Sequence, residues 1–340
     1  MHPITSASNI SSVSSTSSIS PSPHELQILL DDLHLKYRDL SIGEVATYIP
    51  ELASANPDDF GVCVATEEGR MFEAGDAARA FTIQSISKPF TFGLALEELG
   101  PERVSQHVGV EPSGEPFNSI ELQGDMNRPF NPMINAGAIT VTALLHARHG
   151  EATFDYILDR FSTFAGRRLS LDQDVYQSER RTGHRNRAIA HLLLNFGMVH
   201  AEAEAALDVY FRQCAIQVTC RDLALMAATL SNMGRHPLTG ETAIDLRCVK
   251  DVLSVMFTCG MYDYSGQWAY RVGVPAKSGV AGGVIAVVNR QLGIASYSPR
   301  LDRYGNSVRG LEVCEQLAAR LGLHVFDCLN VGSSFLRAVL

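Results

Sequence analysis

Several things are scarce or missing in this chain of 340 residues. Positive charge is in deficit: 28 Lys and Arg face 37 Asp and Glu, for a net charge of −9 and a pI near 5.7. That argues against nucleic acid or an anionic membrane as a partner. No apolar run is long enough to span a bilayer; the best stretch, around 132–148, is short and broken by Thr140 and Thr142. The seven Cys (63, 214, 220, 248, 259, 314 and 328) are odd in number and include no C-x-x-C pair. They read as reduced, mostly buried thiols of a cytoplasmic protein. The eleven His include no H-E-x-x-H. His146 and His149, three apart at an apparent helix end, suit a helix C-terminal dipole better than zinc. Residues 1–21 are Ser-rich, with no basic start and no apolar core segment. They read as a disordered tail and not as a signal peptide.

What is present points to a large folded enzyme-sized unit. Hydrophobic residues make up 46% of the chain, ample for an extensive core, and the length suits two domains or one with an insertion. A helix is expected from a capping box of Ser22 and Glu25 around Pro23, with Leu26, Leu29, Leu30, Leu33 and Tyr37 on one face. A short segment 43–53 follows. Residues 60–66 and 71–74 read as a hairpin turned at Glu67–Arg70. Helical patterns run through 85–99, 132–148, 151–166, 186–198, 200–213, 219–234 and 241–257. The pattern then switches to three strands, 267–274, 283–289 and 292–298, and a last helix over 309–322. Strands near both ends with helices between predict one antiparallel sheet built from both ends, and a helical middle. The expected division is an α/β domain from 22–105 and 220–340, with 106–219 as a helical subdomain. A cleft between them is the default ligand site.

The chemistry centres on Phe81-Thr82-Ile83-Gln84-Ser85-Ile86-Ser87-Lys88-Pro89-Phe90. Ser85 and Lys88 are three apart, so a helical first turn puts both on one face. Pro89 suits a helix start. A serine hydroxyl is a weak nucleophile until a base lies within reach. A desolvated lysine can be that base, and the positive end of the helix dipole favours both its neutral form and a developing oxyanion. Taken alone, the pair reads as an N-cap serine and a solvated lysine. Weight comes from Lys277-Ser278-Gly279, placed between two predicted strands. Ser-x-x-Lys early and Lys-Ser/Thr-Gly late is the paired signature of penicillin-recognising serine hydrolases. The third element of that signature, Ser-Asp-Asn, is absent between them. Lys277 near Lys88 would help to keep Lys88 neutral. The glycines of 279–283 lack nucleotide-loop spacing and instead let backbone N–H groups approach a ligand, so Ser85 and Val280 are candidate oxyanion donors. The basic stretch 178–187 reads as a solvated face.

With these blocks in hand the chain resembles the serine-dependent glutaminase family, which has a β-lactamase-like fold. The resemblance rests on Tyr48–Ala53, Gln84–Lys88, Asn131–Ile139, Ser178-Glu179 with Arg185-Asn186, Tyr210-Phe211 through Val218–Cys220, Met261–Asp263 with Ser265–Gln267, and Pro275–Gly283. It spans Tyr48 to about residue 310. It implies an α+β, β-lactamase/transpeptidase-like antiparallel sheet flanked by helices with an inserted all-helical subdomain. It implies hydrolysis of L-glutamine to L-glutamate and ammonia, without metal or organic cofactor, by a homodimer or homotetramer. By similarity Ser85 is the nucleophile, Lys88 its base, and Tyr262 a participant in proton transfer. Asn135, Glu179, Asn186 and Tyr210 would hold the amino-acid end of the substrate, with Val280 at the amide oxygen. Tyr48, Gln84 and Lys277 would line the same pocket. Two rival readings are a penicillin-recognising hydrolase, weakened by the missing Ser-Asp-Asn, and a silent amino-acid-binding module, weakened by the retention of both Ser85 and Lys88.

Overall fold

The structure, a computed structural model, describes residues 23–114, 120–124, 126–199 and 203–327. The Ser-rich segment 1–21, Ser22 of the expected capping box and Cys328 lie outside these residues. Thirteen helices are described: α1 (Pro23–Tyr37), α2 (Pro50–Ala53), α3 (Ser87–Leu99), α4 (Pro101–His107), α5 (Asn135–His149), α6 (Thr153–Ala165), α7 (Gln173–Thr182), α8 (His184–Asn195), α9 (Ala203–Cys214), α10 (Cys220–Ser231), α11 (Leu246–Cys259), α12 (Ser265–Arg271) and α13 (Val308–Leu321). The strands are β1 (Gly61–Thr66), β2 (Met71–Gly75), β3 (Phe81–Thr82), β4 (Ser170–Leu171), β5 (Ile216–Val218), β6 (Ala276–Ser278), β7 (Gly283–Val288) and β8 (Leu292–Tyr297).

The main sheet is antiparallel throughout, in the order β2-β1-β8-β7-β6. It therefore joins the early hairpin to the late strands, as the alternation of the two ends of the chain requires. Both faces are covered, and the two-residue period of the strands sorts them. Val62, Val64, Val284, Ala286 and Ile294 share one core with Leu26, Leu30 and Leu33 of α1, Trp268 of α12, and Val313 and Leu317 of α13. Cys63, Ala65, Ile285, Val287 and Ala295 point the other way, into a larger core with Leu223, Met226 and Ala227 of α10. α10 lies close on β8. A Cβ at Gly293 would stand 2.3 Å from the Ala228 nitrogen and 2.5 Å from the Ala224 oxygen, so the helix reaches the sheet only across a glycine.

Between residues 106 and 219 the described residues are irregular over 108–134 and then mainly helical, apart from connections and the short strands β4 and β5. These join β3 in a small sheet of order β3-β5-β4. This sheet matters out of proportion to its size, because β3 leads directly into the Ser85 turn. α3 is buried from Ser87 to Leu96 and packs against α5 and α11. It has no polar face, as its run of apolar residues suggested.

Two expectations are overturned. Lys277 and Ser278 do not lie between strands but within β6, paired with Ile285 and Val284 of β7. Residues 267–274 are not a strand; the chain runs as helix α12 to Arg271 and then turns. The alternation of Trp268 and Tyr270 resembles a strand, yet Trp268 is buried and Tyr270 is 86% exposed. The inward positions are Ser265, Trp268 and Val272, spaced for a helix. The Trp268 indole N–H donates to the Val274 carbonyl at 2.7 Å, which stops the helix and turns the chain into β6.

Candidate active site

Ser85 is positioned by backbone geometry. β3 pairs with β5, and the Ile83 N–H donates to the Ile216 carbonyl at 2.8 Å. The chain then reverses through a single 3-10 turn, Gln84–Ile86, in which Gln84 has φ +49°. A left-handed backbone costs a side-chain-bearing residue about 1–2 kcal/mol, and such strain collects where a side chain must be aimed. Ser85 follows immediately and is buried. α3 begins two residues later, so Ser85 and Lys88 flank the positive end of a 13-residue helix.

Lys88 is buried. Its Nζ donates to Asn135 Oδ1 at 2.7 Å and to the Met133 carbonyl at 3.3 Å. Burial lowers its pKa from 10.5 to about 8, opposed by interaction with the Cys214 thiol. Two donated hydrogen bonds use both protons of a neutral amine and leave its lone pair available.

Lys277 is also buried. Its Nζ donates to the Ser278 carbonyl at 2.7 Å and lies 4.2 Å from the centre of the Tyr262 ring. Burial, reinforced by Lys88, holds it well below its ordinary range. The depression of Lys88 itself comes from burial, with no contribution from Lys277.

Tyr262 opens a second 3-10 turn, between α11 and α12, again with positive φ (+54°). Its hydroxyl donates to the Ser278 carbonyl at 3.1 Å and also hydrogen-bonds with the Ser85 side chain. Burial holds the phenol above its ordinary range, with the Ser85 contact opposing. At neutral pH it is therefore a protonated phenol, which leaves Lys88 as the group able to accept a proton.

The remaining sequence candidates form two linked clusters around this centre. In the first, Glu179 of α7 accepts a hydrogen bond from the Tyr48 hydroxyl at 2.8 Å and also bonds the Gln84 side chain. The Tyr48 hydroxyl also lies 3.1 Å from Gln84 Oε1. Half of the Tyr48 surface is exposed, but its hydroxyl end points inward. Burial pushes the Glu179 carboxyl above its usual range, because the Tyr48 and Gln84 partners are neutral. In the second cluster, Asn135 Oδ1 accepts from Lys88 and, at 3.3 Å, from the Tyr210 hydroxyl. Asn135 Nδ2 donates to Asn186 Oδ1 of α8 at 3.0 Å. Val280 lies half-buried in the β6–β7 turn. A Cβ at Gly279 would meet the Ile83 carbonyl at 3.1 Å, so this turn backs onto the Ser85 turn. A cavity of about 250 Å³ lies beside Tyr262, lined by Met133, Ile134, Cys259, Asp263 and others. A larger groove of about 860 Å³ between α11 and residues 323–326 contains none of these candidates, so size alone does not mark the site.

Three residues at this centre escaped the sequence reading: Ser87, Gln213 and Cys214. Ser87 was hidden inside the nucleophile block. Gln213 and Cys214 follow Tyr210 by three and four positions on α9, which places them on its face. That spacing was the available signal. Cys214 hydrogen-bonds with Tyr210 and Ser87, and burial pushes its thiol up to about 12. All six described cysteines are buried and unpaired with one another.

Comparison with known proteins identifies the family of the chain. The glutaminase family profile matches residues 43–326. The chain is 55% identical to a glutaminase of Trichormus variabilis over 92% of its length and 93% of that protein's. It is 48% identical to a glutaminase of Corynebacterium glutamicum, over 94% and 76%. Among solved structures it is similar to a probable glutaminase from Bacillus subtilis complexed with 6-diazo-5-oxo-L-norleucine, with TM-score 0.81 and 37% identity over 88% of this chain and 96% of that one. It is likewise similar to Mglu in its glutamate form, with TM-score 0.85 and 45% identity over 89% and 70%. A profile match over most of the chain, together with relatives at this identity, shows that the chain belongs to the glutaminase family.

Proposed function

We propose that this glutaminase cleaves the side-chain amide of L-glutamine through an acyl-enzyme on Ser85. The observation that carries the reading is a serine and a lysine on one buried turn, with the lysine amine lowered to about 8 and its lone pair unspent. Lys88 takes the Ser85 proton as Oγ bonds to the amide carbon. The oxyanion so formed is held by the N–H groups of Ser85 and Val280, at the positive end of α3. The proton passes to the amide nitrogen, the C–N bond breaks, and ammonia leaves a γ-glutamyl ester on Ser85. Water then attacks the ester, Lys88 accepts its proton and returns it to Ser85, and glutamate departs. Tyr262 shares these transfers as a phenol hydrogen-bonded to Ser85.

Glu179, Tyr210, Asn135 and Asn186 hold the α-amino and α-carboxylate end. The buried Glu179 carboxylate has only neutral partners, and a free amino acid supplies the missing cation. Support for this substrate class comes from a structural neighbour described in its glutamate form. In this proposal, the chain divides into an α/β domain of 22–105 and 220–340 and an inserted subdomain of 106–219. It works in the cytoplasm, where its buried thiols stay reduced, as a homodimer or homotetramer. Among the described residues no helix is long and apolar enough to cross a membrane. The test is glutamate and ammonia release from L-glutamine by the purified protein and its Ser85→Ala variant. Equal release is expected from the first and none from the second.

A further inference from the structure

Behind the Ser85 turn lies a hydrogen-bonded chain that none of the roles above uses. Ser87, Gln213 and Thr142 are all fully buried. The Ser87 hydroxyl donates to the Gln84 carbonyl at 2.7 Å. Gln213 Nε2 donates to Ser87 Oγ at 3.1 Å, and Gln213 Oε1 accepts from the Thr142 hydroxyl at 3.3 Å. Ser87 has spent its one proton on Gln84, so the amide end facing it is the NH₂ end. The Thr142 hydroxyl divides its one proton between the Ala138 carbonyl at 2.9 Å and Gln213 Oε1 at 3.3 Å, so its contact with Gln213 is the weaker one.

The carbonyl that receives this bond belongs to the left-handed residue, Gln84. It also belongs to the peptide unit whose other end is the Ser85 N–H. A peptide is planar, so pinning the Gln84 oxygen orients the Ser85 N–H. That N–H is one of the two oxyanion donors assigned above. A donor aimed at the oxyanion acts mainly in the transition state, not in the bound substrate.

We infer that Gln213, acting through the Ser87 hydroxyl, is a positioning residue that holds the Gln84–Ser85 peptide in the orientation the oxyanion needs. This rests on the reading of Ser85 as nucleophile. α9 thereby has two duties. Tyr210 faces the substrate end, and Gln213, one turn on, sets the geometry of the reacting end.

The test is a cycle of Gln213→Met, Ser87→Ala and the double variant, beside Ser85→Ala as control, with kcat and KM for L-glutamine measured well below each protein's Tm. Methionine keeps the length of Gln213 without its hydrogen bonds, and Ser87→Ala removes a single oxygen. Each single variant is expected to lose about 10- to 100-fold in kcat with KM within about threefold, and the double no more than the worse single, because the two act as one unit. Unchanged kcat in Gln213→Met and Ser87→Ala with an inactive Ser85→Ala overturns the inference alone. So does a loss confined to KM, or losses that multiply in the double variant. An active Ser85→Ala overturns the nucleophile assignment and this inference with it.

Discussion

Titrating Lys88 probes the reaction and the fold at once. Burial takes its amine from 10.5 to about 8, and only the neutral amine accepts a proton from Ser85. About one-tenth of the enzyme is then competent at pH 7, about three-quarters at pH 8.5 and about one-hundredth at pH 6. The rate constant kcat/KM should therefore rise about tenfold from pH 6 to 7 and about eightfold more from pH 7 to 8.5. The same shift is a stability statement. A lysine depressed on folding is held by the folded protein with fewer protons than by the unfolded chain between pH 8 and 10.5. Stability thus rises with pH across that window, and the cost of burying the charge is fully present below pH 8. The difference of 2.5 between the two values corresponds to about 3 kcal/mol. In Lys88→Met that group is gone, while the other titrating groups remain. Raising the pH from 8 to 10.5 should therefore move the Tm of the wild type upward relative to the variant by about 5 °C. The two assays are a pH–rate profile in one buffer series and paired thermal melts. A rate profile flat from pH 6 to 8.5, together with a Tm difference that does not change between pH 8 and 10.5, would refute the argument that burial poises Lys88.

Other outcomes follow from single features. If Glu179 pairs with the substrate ammonium, N-acetyl-L-glutamine strands a buried carboxylate, a loss of about 3–5 kcal/mol or a few hundred-fold or more in kcat/KM. Glu179→Gln should narrow that gap, and equal rates on the two substrates in the wild type would remove Glu179 from this role. Gly293→Val drives a side chain into the α10 backbone at 2.3–2.5 Å and should cost about 3 kcal/mol or more, read from the urea midpoint; an unchanged midpoint would show that α10 gives way easily.

The parts of the molecule legible in the sequence were those with a period or a motif. Four of the five strands of the main sheet were readable because 60–66, 71–74, 283–289 and 292–298 are long enough to show strand composition and turns; β6, three residues long, was read as the link between strands. Ser85, Lys88 and Lys277 were readable as paired motifs, and the remaining pocket residues only through a family resemblance. Trp268 and Tyr270 misled because two aromatic residues two apart imitate a strand when the third inward position, Val272, is ignored. β3, β4 and β5 are two or three residues long, too short for any period, yet β3 delivers the chain to Ser85. The positive φ of Gln84 and Tyr262 had no sequence signal, since neither is glycine. The strain at Gln84 is held by Ser87 and Gln213, residues 126 apart in the chain. The source of the Lys88 shift was likewise invisible, because burial is a property of the packed core and not of the local sequence.

The central claim is that Ser85 carries the glutamyl group. The most direct measurement is acid quenching of the enzyme within milliseconds of mixing with L-glutamine, followed by peptide mass analysis. The account predicts a γ-glutamyl ester on the peptide containing Ser85, absent from Ser85→Ala. An adduct on any other residue, or full turnover by Ser85→Ala, would contradict it.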